Sequence, residues 1–138
     1  MEEEKKMGSR GSFKGLTDKF KSFFTQEYFH RPIAIWLLIA SGLLNLTSWA
    51  ILWLFIKPID LPIILHYNVY FGVDSLGRWS QVYIMPFIGL ALLLVNLFLS
   101  LHFYRGKERI ASYLLLMAAL MIQASLLVAS IGIIIINY

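Results

Sequence analysis

The chain has 138 residues, of which 59% are hydrophobic and only 14% are charged, with a formal net charge of +4 and no cysteine. Soluble domains are typically about 45–50% apolar and about 25% charged, so this composition excludes an ordinary soluble fold. The absence of cysteine excludes disulfides, thiol nucleophiles and thiolate metal sites.

Two segments precede the first long apolar block. Residues 1–11 are charged and contain Gly and Ser, which predicts a disordered tail. In residues 12–31, Phe and Leu recur at helical spacing while polar residues fall on the other face, which predicts an amphipathic helix lying in the membrane interface. A frayed linker is the alternative, because short helices are only marginally stable alone.

Three long blocks without Asp, Glu, Lys or Arg follow, at residues 33–56, 82–104 and 110–136. A helix needs about 20 apolar residues to cross the roughly 30 Å hydrocarbon core of a bilayer. Each block is long enough, so we predict an all-α integral membrane protein with three transmembrane helices. Residues 57–81 form the loop between the first two helices, and residues 105–109 form a short turn between the last two.

The basic residues predict how the helices cross the membrane, because Lys and Arg concentrate in the short cytoplasmic segments of membrane proteins. Of the 12 basic residues, seven precede the first helix and three lie in the 105–109 turn. Only Lys57 and Arg78 lie in the first loop, where two aspartates balance them. We therefore predict the cytoplasmic (inner) membrane, with the N-terminus cytoplasmic and the C-terminus extracytoplasmic. The net charge needs no nucleic-acid partner to explain it.

Each apolar block carries one primary amide near its middle, at Asn45, Asn96 and Gln123. Hydrogen bonds between transmembrane helices stabilise such groups by about 0.6–2 kcal/mol. We predict a shared contact of the three amides that holds the helices in register. The alternative is that one or more of them point into a neighbouring subunit.

Small residues on the third helix predict two packing faces, because they let helix backbones approach closely in lipid. One face holds Ser112, Ala119, Gln123 and Ser130, and the other holds Ala111, Ala118, Ser125 and Gly132. This arrangement fits a helix that contacts both sister helices, or one sister helix and another subunit. No charged residue lies inside any block, so a proton or ion relay lacks its usual parts.

The three histidines, His30, His66 and His102, are scattered along the chain. His30 and His102 are predicted on the same side of the membrane, so a haem held by both is an alternative to a structural role. Interfacial histidine is common, however, and neither residue has the surroundings typical of a haem pocket. Because no catalytic triad, metal-ligand spacing or phosphate loop is present, we expect no cofactor, no metal and no enzyme activity.

The 57–81 loop is much longer than a turn between two antiparallel helices requires. It is rich in Tyr and Trp, which favour the headgroup level of a membrane. Residues 63–70 favour extended backbone, and Gly72-Val73-Asp74-Ser75 is typical of a turn. We therefore predict an ordered extracytoplasmic loop that folds onto the membrane surface.

The loop also carries the pattern His-aromatic-Asn…Gly…Asp, at His66, Asn68, Gly72 and Asp74. Over roughly residues 45–100 the chain resembles a bacterial membrane domain of unknown function, found alone and inside sporulation-delaying toxin immunity proteins. In that domain a loop with this pattern joins two transmembrane helices. The resemblance implies that these four residues are the signature positions.

Two interpretations of the signature positions remain open. In the first, Asn68 and Asp74 bond the backbone of a tight loop and His66 is a hydrogen-bonding plug. In the second, the loop is an exposed recognition site for a peptide, a lipid or a partner loop.

Two function classes remain, the first supported by the packing faces and amides of the helices and the lack of catalytic groups, the second by the resemblance of the loop. One is a small non-catalytic accessory subunit of a membrane assembly, bound through its helices to a protein partner or to copies of itself. The other is a receptor- or immunity-type protein that binds an extracytoplasmic peptide or lipid through the 57–81 loop. The lipid bilayer is the expected surrounding in both.

Overall fold

The structure is a computed structural model that describes residues 27–138. The predicted tail at residues 1–11 lies outside the described residues, and so does all but the end of the predicted interfacial helix at 12–31. The chain divides into two units, with a boundary after Ile35. The described part of the first unit contains a 3₁₀ turn at Glu27–His30 and the start of the first long helix.

Three α-helices make up most of the described chain: α1 at Pro32–Phe55, α2 at Ile84–Arg105 and α3 at Arg109–Asn137. A 3₁₀ turn at Trp79–Tyr83 leads into α2. All three helical spans are long and apolar enough to cross a membrane, which confirms the predicted class of a mostly helical membrane protein. The helices begin and end within two residues of the predicted blocks.

The helices bury polar residues and expose apolar ones, which reverses the pattern of a soluble protein. The buried polar side chains are Ser41, Asn45, Ser48, Ser100, Ser112, Gln123 and Ser130. Large apolar side chains cover the outside, where Trp36, Trp53 and Phe98 are 70%, 73% and 71% exposed. In hydrocarbon, polar groups need partners within the protein whereas apolar side chains do not, so this arrangement suits a bundle surrounded by lipid.

A turn of three residues, Gly106–Glu108, joins α2 to α3 as a helical hairpin. Lys107 has a φ of 67°, in the left-handed region that few residues with side chains adopt, and this conformation helps to reverse the chain. Near the turn, the hydroxyl oxygens of Ser100 and Ser112 lie 2.7 Å apart, and the Ser100 hydroxyl donates to the Ser112 carbonyl at 2.9 Å. These contacts tie the two helices together beside the turn.

Of the two predicted packing faces of α3, one is buried and the other is not. Ser112, Ala119, Gln123 and Ser130 are all buried, together with Leu116 and Ile133. Successive buried positions lie three, four or seven residues apart, a spacing typical of helices that cross at a small angle. On the second face, Ala118 and Ser125 are exposed and Ala111 and Gly132 are half-buried within the described chain.

Part of the 57–81 loop folds into an antiparallel β-hairpin, with β1 at Ile63–Asn68 and β2 at Gly72–Gly77. The prediction of a turn at residues 72–75 is wrong, since these residues begin β2. The chain instead reverses at residues 69–71 and enters β2 through Gly72, whose φ of 81° favours glycine.

The base of the hairpin packs into an apolar cluster at one end of the bundle. The cluster contains Leu52, Ile56, Ile63, Val82 and Ile133, all buried. Its members come from α1 and the residue that follows it, from β1, from the 3₁₀ turn before α2 and from α3. The cluster therefore fixes the base of the hairpin to the helical part of the fold.

Candidate functional site

Two of the four signature residues meet across the hairpin. His66 Nδ1 lies 3.1 Å from Asp74 Oδ2. The strand register shifts on either side of His66, which pairs with Ser75, and this irregularity places its ring beside the Asp74 carboxylate. The side chains are 66% and 37% exposed, so the pair contributes only about 0–1 kcal/mol to stability. His66 is therefore hydrogen-bonded but not a buried plug, and both side chains are accessible to a ligand.

The other two signature residues shape the reversal of the hairpin. Asn68 Oδ1 accepts a hydrogen bond of 2.9 Å from the backbone N–H of Tyr70, as in an Asx turn. Gly72 provides the positive φ on the other side of the reversal. These contacts fit the structural interpretation for Asn68 and Gly72, while the exposed His66–Asp74 pair is compatible with either interpretation.

The tip of the hairpin is apolar and exposed. Val69, Tyr70 and Phe71 are 84%, 90% and 84% exposed. Asn68 and Gly72 define the backbone on both sides of these residues, so the three side chains are presented together. Contiguous exposed apolar side chains on an ordered element are typical of a surface that binds a membrane or another protein. We call Val69–Phe71 the hairpin tip.

Sequence reasoning missed Asn137, the last residue of α3, which holds the first strand of the hairpin. Its Oδ1 accepts from the Ile64 N–H at 2.8 Å, and its Nδ2 donates to the carbonyls of Ile64 and Ile133 at 2.7 and 2.9 Å. The side-chain amide thus satisfies both backbone groups of Ile64, as a neighbouring strand would. The sequence does contain one signal for Asn137. Gln123, Ser130 and Asn137 follow one another at intervals of seven residues, which places Asn137 on the predicted packing face of α3.

We expect Asn137→Ala to loosen the base of the hairpin while the helices stay folded. Both backbone groups of Ile64 lose their side-chain partner, at a cost of about 1–3 kcal/mol. Hydrogen exchange at residues 63–68 should therefore become about tenfold faster or more. Ser130→Ala is the matched control, because within residues 27–138 the Ser130 hydroxyl bonds only to the Leu126 carbonyl of its own helix. Exchange at residues 63–68 that is the same in both variants would contradict the role of Asn137.

A buried polar contact links the three helices near the middle of the bundle. Asn45 Nδ2 donates to Gln123 Oε1 at 3.0 Å and to the Pro86 carbonyl at 2.9 Å. Gln123 Nε2 donates to the Gly89 carbonyl at 2.7 Å. Asn45 and Gln123 are 5% and 1% exposed. Two side-chain amides and two backbone carbonyls thus connect α1, α2 and α3, and we call this group the amide contact.

Asn96 does not take part in the amide contact, which corrects the prediction that all three amides meet. Its Nδ2 donates to the Leu92 carbonyl of its own helix at 3.0 Å. Asn96 lies seven residues beyond Gly89, or about 10 Å along the helix axis, which is too far for it to join Gln123. The backbone of α2, rather than its amide side chain, supplies the third member of the contact.

Comparison of the chain with family models, with curated proteins and with solved structures finds no match. The resemblance of roughly residues 45–100 to the bacterial membrane domain stays a prediction, with His66, Asn68, Gly72 and Asp74 as its signature positions. Within residues 27–138, no three His, Asp or Glu side chains are grouped so as to hold a metal ion. The two elements that stand out are the hairpin with its exposed tip and the amide contact that supports the bundle.

Proposed function

We propose that this protein is a non-catalytic integral membrane protein that recognises a ligand through the hairpin tip. The observation that supports the proposal is the ordered, exposed apolar sequence Val69–Phe71, held at its base by Asn137 and the apolar cluster. Recognition costs less conformational entropy when the binding element is already ordered. The distribution of basic residues supports a location in the cytoplasmic membrane, with the hairpin on the extracytoplasmic side.

The ligand that we propose is a protein or peptide with apolar side chains. The tip offers two aromatic rings and a valine, and aromatic side chains are enriched where proteins bind one another. The outer edge of β2 pairs with no further strand within residues 27–138, so its backbone is open to strand addition by an extended segment. The exposed His66 and Asp74 beside this edge add polar groups that can set the register of such a segment.

A photo-crosslinking amino acid at position 69, introduced in intact membranes, tests this proposal. We expect a discrete protein adduct that disappears when Tyr70 and Phe71 are both changed to Ser. A crosslinker at Phe98 is the matched control, because that side chain is 71% exposed on the apolar surface of α2 and should yield mainly lipid adducts. If position 69 yields the same adducts as position 98, or if the tip substitutions leave its adduct unchanged, the proposed function is wrong.

A second candidate function is that of an accessory subunit, supported by the uncovered face of α3. Small residues at intervals of seven there would let a helix of another subunit, or of a second copy, approach closely. Extraction in mild detergent followed by size analysis separates the two functions. A complex lost with Ala118→Leu but kept with the Tyr70 and Phe71 substitutions supports the accessory subunit. A complex that is kept with Ala118→Leu but lost with the Tyr70 and Phe71 substitutions supports recognition through the tip.

A further inference from the structure

An aromatic groove of about 480 Å³ lies where α1 ends and the 3₁₀ turn before α2 begins. Trp49 and Trp53 of α1 form one side, and Trp79 and Tyr83 of the turn form the other. The Trp49 and Tyr83 rings stack with their centroids 5.6 Å apart, and the Trp79 ring meets the edge of Tyr83 at 6.3 Å. These ring contacts hold the two sides together, so the cavity between them is preformed. We call this cavity the aromatic groove.

The aromatic groove also has a charged and a hydroxyl side chain in its lining. These are Lys57 and Ser80, and Lys57 is the only charged residue among the described residues that line the groove. Lys57 follows the end of α1 by two residues, so it lies where the apolar span gives way to polar sequence. Trp53, one helical turn earlier, is 73% exposed on the apolar surface of the helix. Along α1 the groove therefore extends from the apolar surface at Trp53 to the positive charge of Lys57, where a membrane-spanning helix would reach the headgroups.

We propose that the aromatic groove binds an anionic phospholipid of the surrounding leaflet, with the phosphate at Lys57 and the start of an acyl chain along Trp53. A ligand that fits this groove must be apolar at one end and negatively charged at the other. The Lys57 ammonium and the Ser80 hydroxyl are both donors to a phosphate oxygen, and the ammonium forms a charge-assisted hydrogen bond.

The dimensions of the groove also favour part of a lipid over a whole soluble ligand. Its volume lies within the range of about 300–1,000 Å³ typical of small-molecule sites, which is enough for a headgroup and the first methylenes of a chain. The rest of the chain would continue along the exposed side of α1 into the bilayer. No residue of the hairpin tip lines the groove, so this inference is independent of the proposed function.

Tryptophan fluorescence tests the inference directly, because three of the four tryptophans line the groove and Trp36 is the fourth. The full chain carrying Trp36→Phe is reconstituted in phosphatidylcholine vesicles. We then measure how strongly a small mole fraction of phosphatidylglycerol with brominated chains quenches the tryptophan fluorescence. The same fraction of brominated phosphatidylcholine gives the reference quenching. We expect quenching that corresponds to about fivefold enrichment of the anionic lipid beside the groove. This is the enrichment that the attraction of one interfacial lysine produces.

Substitutions of Lys57 decide whether the groove causes this enrichment. Lys57→Gln should abolish it, whereas Lys57→Arg, which keeps the charge, should retain it. Arg78→Gln is the matched control, since Arg78 is the other basic residue of the 57–81 loop but does not line the groove. Circular dichroism of each variant verifies that the helices are intact.

Three outcomes would overturn the inference. They are equal quenching by the two brominated lipids, enrichment that survives Lys57→Gln, and enrichment that Arg78→Gln removes to the same extent. Added inorganic phosphate should not displace the lipid, and displacement would reassign the groove to a soluble anion. Substitution of Tyr70 and Phe71 by Ser should leave the quenching unchanged, so failure of the proposed function and failure of this inference can be told apart.

Discussion

Replacement of Gly89 by alanine is expected to lower the free energy of unfolding of the bundle by about 1–3 kcal/mol. A Cβ at this position would lie 2.8 Å from both Gln123 Oε1 and Leu126 Cδ1, and 3.0 Å from Asn45 Nδ2. Contacts this short require the ends of the Gln123, Leu126 and Asn45 side chains to shift, and a shift of the two amides disturbs the hydrogen bonds that they make with each other and with α2. A single methyl group thus disturbs the amide contact from the α2 side.

Two other glycines provide matched controls for this substitution. A Cβ added at Gly42 or Gly132 meets no heavy atom within 4 Å. Alanine has the higher helix propensity, so Gly42→Ala and Gly132→Ala should be neutral or stabilising by up to about 1 kcal/mol. Reversible unfolding in mixed detergent micelles, followed by circular dichroism, compares the three variants under one condition. If Gly89→Ala is as stable as the two controls, the helices do not approach as closely as described.

Replacement of Gln123 by leucine should have a comparable effect, because it removes two of the three hydrogen bonds of the amide contact. Hydrogen bonds between transmembrane helices contribute about 0.6–2 kcal/mol each, so loss of two of them should cost about 1–4 kcal/mol. Leucine keeps most of the side-chain volume, which separates the loss of hydrogen bonds from the effect of a cavity. The same unfolding measurement gives the result.

A double-mutant cycle between Asn45 and Gln123 isolates their direct bond. With leucine at both positions we expect a coupling energy of about 0.6–2 kcal/mol. Asn96→Leu is the control, since among the described residues Asn96 bonds only to its own helix. Its effect should be below about 0.5 kcal/mol, with no coupling to Gln123. Equal coupling of Asn96 and Asn45 to Gln123 would contradict the observed geometry and restore the predicted contact of three amides.

The helices could be predicted from the sequence because hydrocarbon imposes both a minimum length and an absence of charge. Those two conditions place the ends of α1, α2 and α3 within two residues. The contacts between the helices were less accessible, because they depend on how far each helix slides along its neighbours. Counted from the ends of the apolar blocks, Asn96 lies near the depth of Asn45 and Gln123. In the structure, however, Gln123 meets α2 at Gly89, which is about 10 Å from Asn96 along the helix axis.

The candidate site could be predicted only in part, since its residues depend on strand register and on packing at a distance. Composition indicated extended backbone in the loop, but the reversal is set by the Asn68 side chain and the positive φ of Gly72. The His66–Asp74 contact requires a register irregularity that has no sequence signature. Asn137 could be assigned only once β1 was known to lie beside the end of α3.

The three-residue turn between α2 and α3 has a consequence for the order in which the bundle assembles. The Ser100–Ser112 contact joins residues 12 positions apart in the chain, whereas the Asn45–Gln123 bond joins residues 78 positions apart. The entropy lost on closing a loop grows with its length, so we expect the α2–α3 pair to form before α1 docks onto it. In reverse, we expect α1 to separate first, which would leave the polar groups of Gln123 and Gly89 facing lipid without the Asn45 side chain.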